Sequence, residues 1–84
     1  MYSIKNIRKA VNLLRLMRIK ITTVSIIEIL QGFYLIDFGI TPIYSSNALY
    51  GKFLKRNAQA IGITWAGKSR IKVRDSWTNT SVWR

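Results

Sequence analysis

Lys68, Arg70, Lys72 and Arg74 recur at every second position, the spacing that puts four side chains on one face of an extended strand. A row of cations on one face can neutralise a row of phosphates, each contact releasing condensed counterions. Lys5, Arg8, Lys9 and Arg15 form a second group at helical spacing, and Lys52, Lys55 and Arg56 a third. These eleven are the candidate anion-binding residues, Lys68 and Arg70 foremost. Each group has a plainer reading as a solvated polar face, but the charge balance argues for a partner. Fourteen Lys and Arg face three acids, so even one-to-one pairing of every acid leaves a net charge of +11. Such an excess repels itself until a polyanion or an anionic surface neutralises it.

Catalysis has little to work with. The chain has no Cys and no His, which removes disulfides, thiolate or imidazole metal sites and the usual nucleophile–base pairs. Glu28, Asp37 and Asp75 are too scattered for a metal cage or a carboxylate pair. Gly67-Lys68-Ser69 looks like the end of a phosphate-binding loop, but it lacks the earlier Gly and the following helix. The expectation is a protein without enzymatic activity, metal or cofactor. Trp77 and Trp83 could stack on unpaired bases, although aromatics in such a position more often pack on the core or on a protein neighbour. Trp65 is expected in the core.

The elements that must position these cations follow from periodicity. Ile4, Ile7, Val11 and Leu14 recur at three and four, with Ser3 placed to cap an amphipathic helix. The basic segment 18–22 then alternates as a strand does, and Thr23 or Ser25 can cap a second helix that ends at Gly32. The aromatic run 33–38 reads as a strand, and 39–47, with Pro42, as a loop. Residues 47–57 hold a turn or two of basic helix. Ile61 to Trp65, a turn at 66–69 and a strand at 71–74 read as a β-hairpin. The layout is a small single α+β domain, helix–strand–helix–strand and then the hairpin, over residues 1–75, with 76–84 as an aromatic and basic tail.

No Lys or Arg occurs between Ile21 and Gly51, so a membrane span from Ile21 to about Tyr44 has to be weighed. Asp37 alone would cost about 2.5–3.5 kcal/mol near a helix centre on insertion scales, and Glu28, Gln31, Gly32 and Pro42 add to that. A buried helix and a buried strand separated by Gly32 explain the missing charge without lipid. In that reading Glu28 sits on the exposed edge of its helix and Asp37 projects from the strand face opposite Ile36 and Phe38. The basic, acid-free segment 3–20 has the character of a transit peptide but runs on without a cleavage-like break, and reads as structure.

Taken in order, these segments resemble the N-terminal domain of the universal small-subunit ribosomal protein eight family. Asn6-Ile7-Arg8-Lys9-Ala10 stands where that family has an opening helix, and Arg18-Ile19-Lys20-Ile21 where it has a short basic strand. Ile26-Ile27-Glu28-Ile29-Leu30, Gly32 and Leu35-Ile36-Asp37-Phe38 follow its helix, Gly and aromatic strand, and 61–72 is similar to its Gly-Lys hairpin. The matches are collinear over most of residues 4–74. The chain departs from the family in the long connection 41–59 and at 77–81, where Pro and Gly are lacking. The family's C-terminal domain, with its Ser-Thr-x-x-Gly loop, has no counterpart.

The resemblance implies a structural constituent of the small ribosomal subunit, with ribosomal RNA and neighbouring ribosomal proteins as partners, in a shortened or split organellar form. Together with the isoleucine-rich composition it points to the mitochondrial ribosome in the organelle matrix. The alternative is a single-span accessory subunit of a mitochondrial inner-membrane complex, the only one of these two readings in which a membrane is a partner.

Overall fold

A computed structural model describes residues 3–33, 47–73 and 75–84 in full and 34–38 as helical backbone. The elements run α1 (Ile4–Leu16), β1 (Ile21–Thr22), α2 (Thr23–Phe38), α3 (Asn47–Arg56), α4 (Ala58–Ile61), β2 (Trp65–Val73) and β3 (Ser76–Trp83). The strands form one antiparallel sheet in the order β1-β3-β2. The α+β class and the closing hairpin are as the sequence predicts. Several element boundaries are not, and each difference has a local cause.

In α1 the Ser3 hydroxyl accepts from the Asn6 backbone N–H at 3.2 Å, filling the N-cap role expected of it. Ile7, Ala10, Val11 and Leu14 are buried, while Lys5, Arg8, Lys9 and Arg15 face solvent. The helix closes in a Schellman pattern: the Arg18 N–H donates to the Arg15 carbonyl at 3.1 Å and the Ile19 N–H to the Leu14 carbonyl at 2.9 Å. Arg18 takes the left-handed position with φ of 56°. That turn consumes the first half of the strand expected over 18–22, and only Ile21 and Thr22 pair, with Trp83 and Val82.

Thr22, one residue before Thr23 and three before Ser25, the two expected caps, caps α2. Its Oγ1 accepts from the Ser25 N–H at 3.0 Å while Ser25 Oγ accepts from the Thr22 N–H at 2.8 Å, a reciprocal capping box with Ser in place of Glu. The helix then runs through Gly32 to Phe38, so the strand expected over 33–38 is helix instead. Val24, Ile26, Ile27 and Leu30 are buried, and Ile29 and Phe33 are partly buried against the same core. This broad apolar face packs α2 on the core, and the helix continues through Gly32 despite its helix cost and the β-preference of the run. Glu28 is exposed, as expected.

Nothing lies within 4 Å of where a Cβ on Gly32 would stand. Gly32→Ala is therefore expected to stabilise the fold by about 0.5–1 kcal/mol through helix propensity, read as a rise in the urea midpoint. A fall would mean that α2 breaks at Gly32.

Among the described residues no helix is long and apolar enough to cross a membrane. The 16 residues of α2 span about 24 Å, against a hydrocarbon core of about 30 Å. The remainder of the weighed span, 39–44, lies outside the described residues, as do residues 39–46 of the loop read over 39–47, whose last residue opens α3; so do the side-chain surroundings of Asp37.

The core joins Ile7, Leu14, Ile26, Leu54 and Ile61 to Ile21 and Trp83 of the sheet. Residues 76–84, read from the sequence as a tail, supply its central strand β3. The hairpin is displaced accordingly. Gly67 and Lys68, read as its turn, lie inside β2, and the reversal falls between Val73 and Ser76, which pair. The Thr64 and Arg84 backbones exchange hydrogen bonds of 2.8 and 2.9 Å and extend the ladder at its other end.

Candidate nucleic-acid interface

Cross-strand register decides which side chains share a face, because directly opposed residues project to the same side. Lys68, Arg70 and Lys72 stand opposite Ser81, Asn79 and Trp77. All three cations are exposed, and the intervening Gly67, Ser69, Ile71 and Val73 are half-buried. The alternating stripe expected from the sequence is thus present for these three; Arg74 lies outside the described residues. Asn79 and Trp77 are exposed beside them. The Arg70 guanidinium carbon lies 5.6 Å from the centre of the Trp77 ring, within the range of a cation–π contact.

A β-bulge brings one more residue to this face. Between Trp65, paired with Trp83, and Gly67, paired with Val82, β2 advances two residues for one of β3. The extra residue carries Trp65 to the Trp83 side, where strict alternation would have turned it away. Gly67 has φ of 115°, a backbone conformation closed to most side chains, so the glycine that suggested a turn makes a bulge. Trp65 was expected in the core but is 52% exposed.

α3 forms the facing wall. Asn47 Nδ2 donates to the Asn79 carbonyl at 2.8 Å, and Thr80 Oγ1 donates to Asn47 Oδ1 at 3.2 Å. Thr80 Oγ1 also accepts from the Val24 N–H at 3.4 Å, so one buried hydroxyl ties the starts of α2 and α3 to β3. Tyr50 and Leu54 turn α3 onto the core. Asn47, Ala48, Gly51, Lys52 and Lys55 then line a groove of about 330 Å³ whose opposite wall includes Trp65, Lys68, Asn79 and Ser81. Among the described residues no carboxylate lines it.

The structure therefore brings Lys52 and Lys55 together with Lys68, and Arg70 and Lys72 continue the stripe along the hairpin. Arg56 is exposed on α3 but does not line the groove. Lys5, Arg8 and Lys9 form a separate cluster around a shallow depression with Ile4 and Asn12. There the Lys9 ammonium sits 5.6 Å from the Phe33 ring centre. Arg15 is committed to structure: its Nη2 donates to the Gly62 carbonyl at 2.9 Å, tying α1 to the end of α4.

Of the two tail tryptophans, Trp83 is 3% exposed, with Nε1 donating to Thr23 Oγ1 at 3.1 Å, and Trp77 is 59% exposed. Sequence reasoning missed Trp65 and Asn79 as groove residues. The available signal for Trp65 was a lone Gly within a strand pattern, which marks a bulge as readily as a turn.

Chemically, the groove gathers three cations, Lys52, Lys55 and Lys68, and the adjoining hairpin face adds Arg70 and Lys72, with two exposed indoles. Among the described residues no group of His, Cys, Asp and Glu is placed to hold a metal ion. Comparison with protein-family models, with curated proteins and with solved structures gives no match.

Proposed function

We propose that this protein is a structural RNA-binding component of a small ribosomal subunit, acting by electrostatic clamping and shape fit. The observation that carries the RNA reading is the groove in which Lys52 and Lys55 face Lys68, continued along the hairpin by the exposed stripe of Arg70 and Lys72. Charges on an edge strand also keep foreign strands from pairing with it. That role alone does not call for a second basic wall on α3 or for a surplus of eleven cations.

The ribosomal part of the reading is supported by the collinear resemblance of residues 4–74 to the N-terminal domain of the small-subunit ribosomal protein eight family. Leu16, Met17 and Ile19, exposed at and just beyond the end of α1, are apolar surface of the kind that neighbouring proteins cover in an assembly. The isoleucine-rich composition supports a mitochondrial ribosome.

The test is the salt dependence of binding to a fluorescently labelled fragment of small-subunit ribosomal RNA. Five phosphate contacts predict that log K falls against log salt with a slope of about −3.5, at about −0.7 per contact for unpaired strand. A slope near zero, or no binding at 0.05 M salt, would overturn the RNA reading.

A further inference from the structure

The two tryptophans on the basic face are unusual places to leave indole. Burial of such a side chain is among the largest apolar gains a small domain can make, yet Trp65 and Trp77 are each more than half exposed. Neither is exposed by accident of a disordered end. Trp65 is held on its face by the bulge at Gly67, and Trp77 is held within β3, opposite Lys72 and beside the Arg70 guanidinium. They mark the two ends of the hairpin face, about 20 Å apart at strand rise, with Lys68 and Arg70 between them and Lys72 beside Trp77.

Successive residues on that face are separated by about 6.6 Å, a spacing that suits an extended polynucleotide with its phosphates on the cations and its bases against the rings. A regular duplex presents phosphates and groove edges but keeps its base faces stacked on one another. It would engage the cations and leave both indoles idle. A protein partner would bury the indoles but needs carboxylates to meet the five cations. Unpaired RNA supplies both chemistries.

We infer that the groove between α3 and the hairpin receives an unpaired RNA segment that continues along the hairpin face, with one base stacked on Trp65 in the groove and another on Trp77 beyond it. This rests on the RNA-binding reading above and narrows it to a loop, bulge or single-stranded stretch. Arg70 is the positioning residue, holding one side of the Trp77 ring so that the other receives a base.

The experiment compares the full chain with its Trp77→Leu, Trp77→Phe and Trp65→Leu variants, using a 12-nucleotide oligouridine and a blunt RNA duplex of the same length in base pairs. Tryptophan fluorescence and anisotropy are followed together. Stacking by a base on an indole is worth about 1–3 kcal/mol, so each Leu variant is expected to bind oligouridine about 5- to 160-fold more weakly. The salt slope should stay unchanged, because no charge is removed. Trp77→Phe should recover much of the loss, and duplex binding should be indifferent to all three substitutions.

Wild-type binding to both RNAs with full affinity retained in both Leu variants would overturn the stacking inference and leave the RNA reading standing. Absence of binding to either RNA would overturn both. A blue shift of the tryptophan emission with anionic phosphatidylglycerol vesicles but not with RNA would also overturn both, assigning the face to a membrane surface.

Discussion

Replacing Lys68, Arg70 and Lys72 together by Gln is expected to lower the affinity for RNA about a hundredfold at 0.1 M salt. Three phosphate contacts at about −0.7 each remove about two units of slope from the dependence of log K on log salt. Carried from 1 M, where the counterion contribution vanishes, to 0.1 M, that is about two decades in affinity. The fold should not suffer, because all three side chains are exposed on an edge strand that packs chiefly on β3. Exposed substitutions of this kind usually stay within about 0.5 kcal/mol. Gln at Lys5, Arg8 and Lys9 removes the same charge from the other cluster. It should cost less if the hairpin face is the binding surface, since general attraction is then lost without direct contacts. Equal losses for the two triple variants would mean that net charge alone binds, and an unchanged slope in the hairpin variant would remove that face from the interface.

The largest expected effect on stability is at Trp83. Its indole is nearly fully buried, touches the core on which α1 and α2 close, and donates to Thr23 Oγ1. Truncating a buried Trp to Ala costs about 3–5 kcal/mol. An 84-residue chain has roughly 4–13 kcal/mol in total at typical stability per residue. Trp83→Ala should therefore leave the protein marginal or unfolded at 37 °C, as read by circular dichroism and urea titration. Trp77→Ala, six residues earlier and on the same side of the strand by alternation, should change stability by no more than about 0.5 kcal/mol. The difference between two tryptophans of one strand comes from coverage: the helices close over the end of the sheet where Ile21 pairs with Trp83, and leave the far end of the hairpin open. A Trp83→Ala protein as stable as the parent would mean that the last strand is not part of the core.

The same contrast shows where sequence reasoning succeeds and where it stops. Helix α1 is legible because its apolar stripe, its cap and its cations each point to the same element. The alternation from Lys68 to Lys72 is legible because a strand has period two whatever pairs with it. Where two signals compete, the stronger local one misleads. Ala66-Gly67-Lys68-Ser69 has the composition of a turn, and only the register with β3 reveals that Gly67 serves a bulge while the chain reverses between Val73 and Ser76. The run 33–38 has the composition of a strand, yet it continues α2, a helix packed on the core through Ile26, Ile27, Leu30 and Phe33. Trp65, Trp77 and Trp83 cannot be sorted by type or by position, because burial on a strand depends on which stretch the helices happen to cover. The groove escapes the sequence for a related reason: α3 meets the hairpin through Asn47 and Thr80, 33 residues apart.

The central claim, that the chain is an RNA-bound part of a small ribosomal subunit, is tested most directly by sucrose-gradient sedimentation of a detergent-free lysate, with and without ribonuclease, following the protein by immunoblot. Alkaline washing of the membrane pellet runs in parallel. The expected result is co-sedimentation with the small subunit that ribonuclease abolishes. Retention in the washed membrane pellet, indifferent to ribonuclease, would contradict it and assign the cations to a membrane-bound complex.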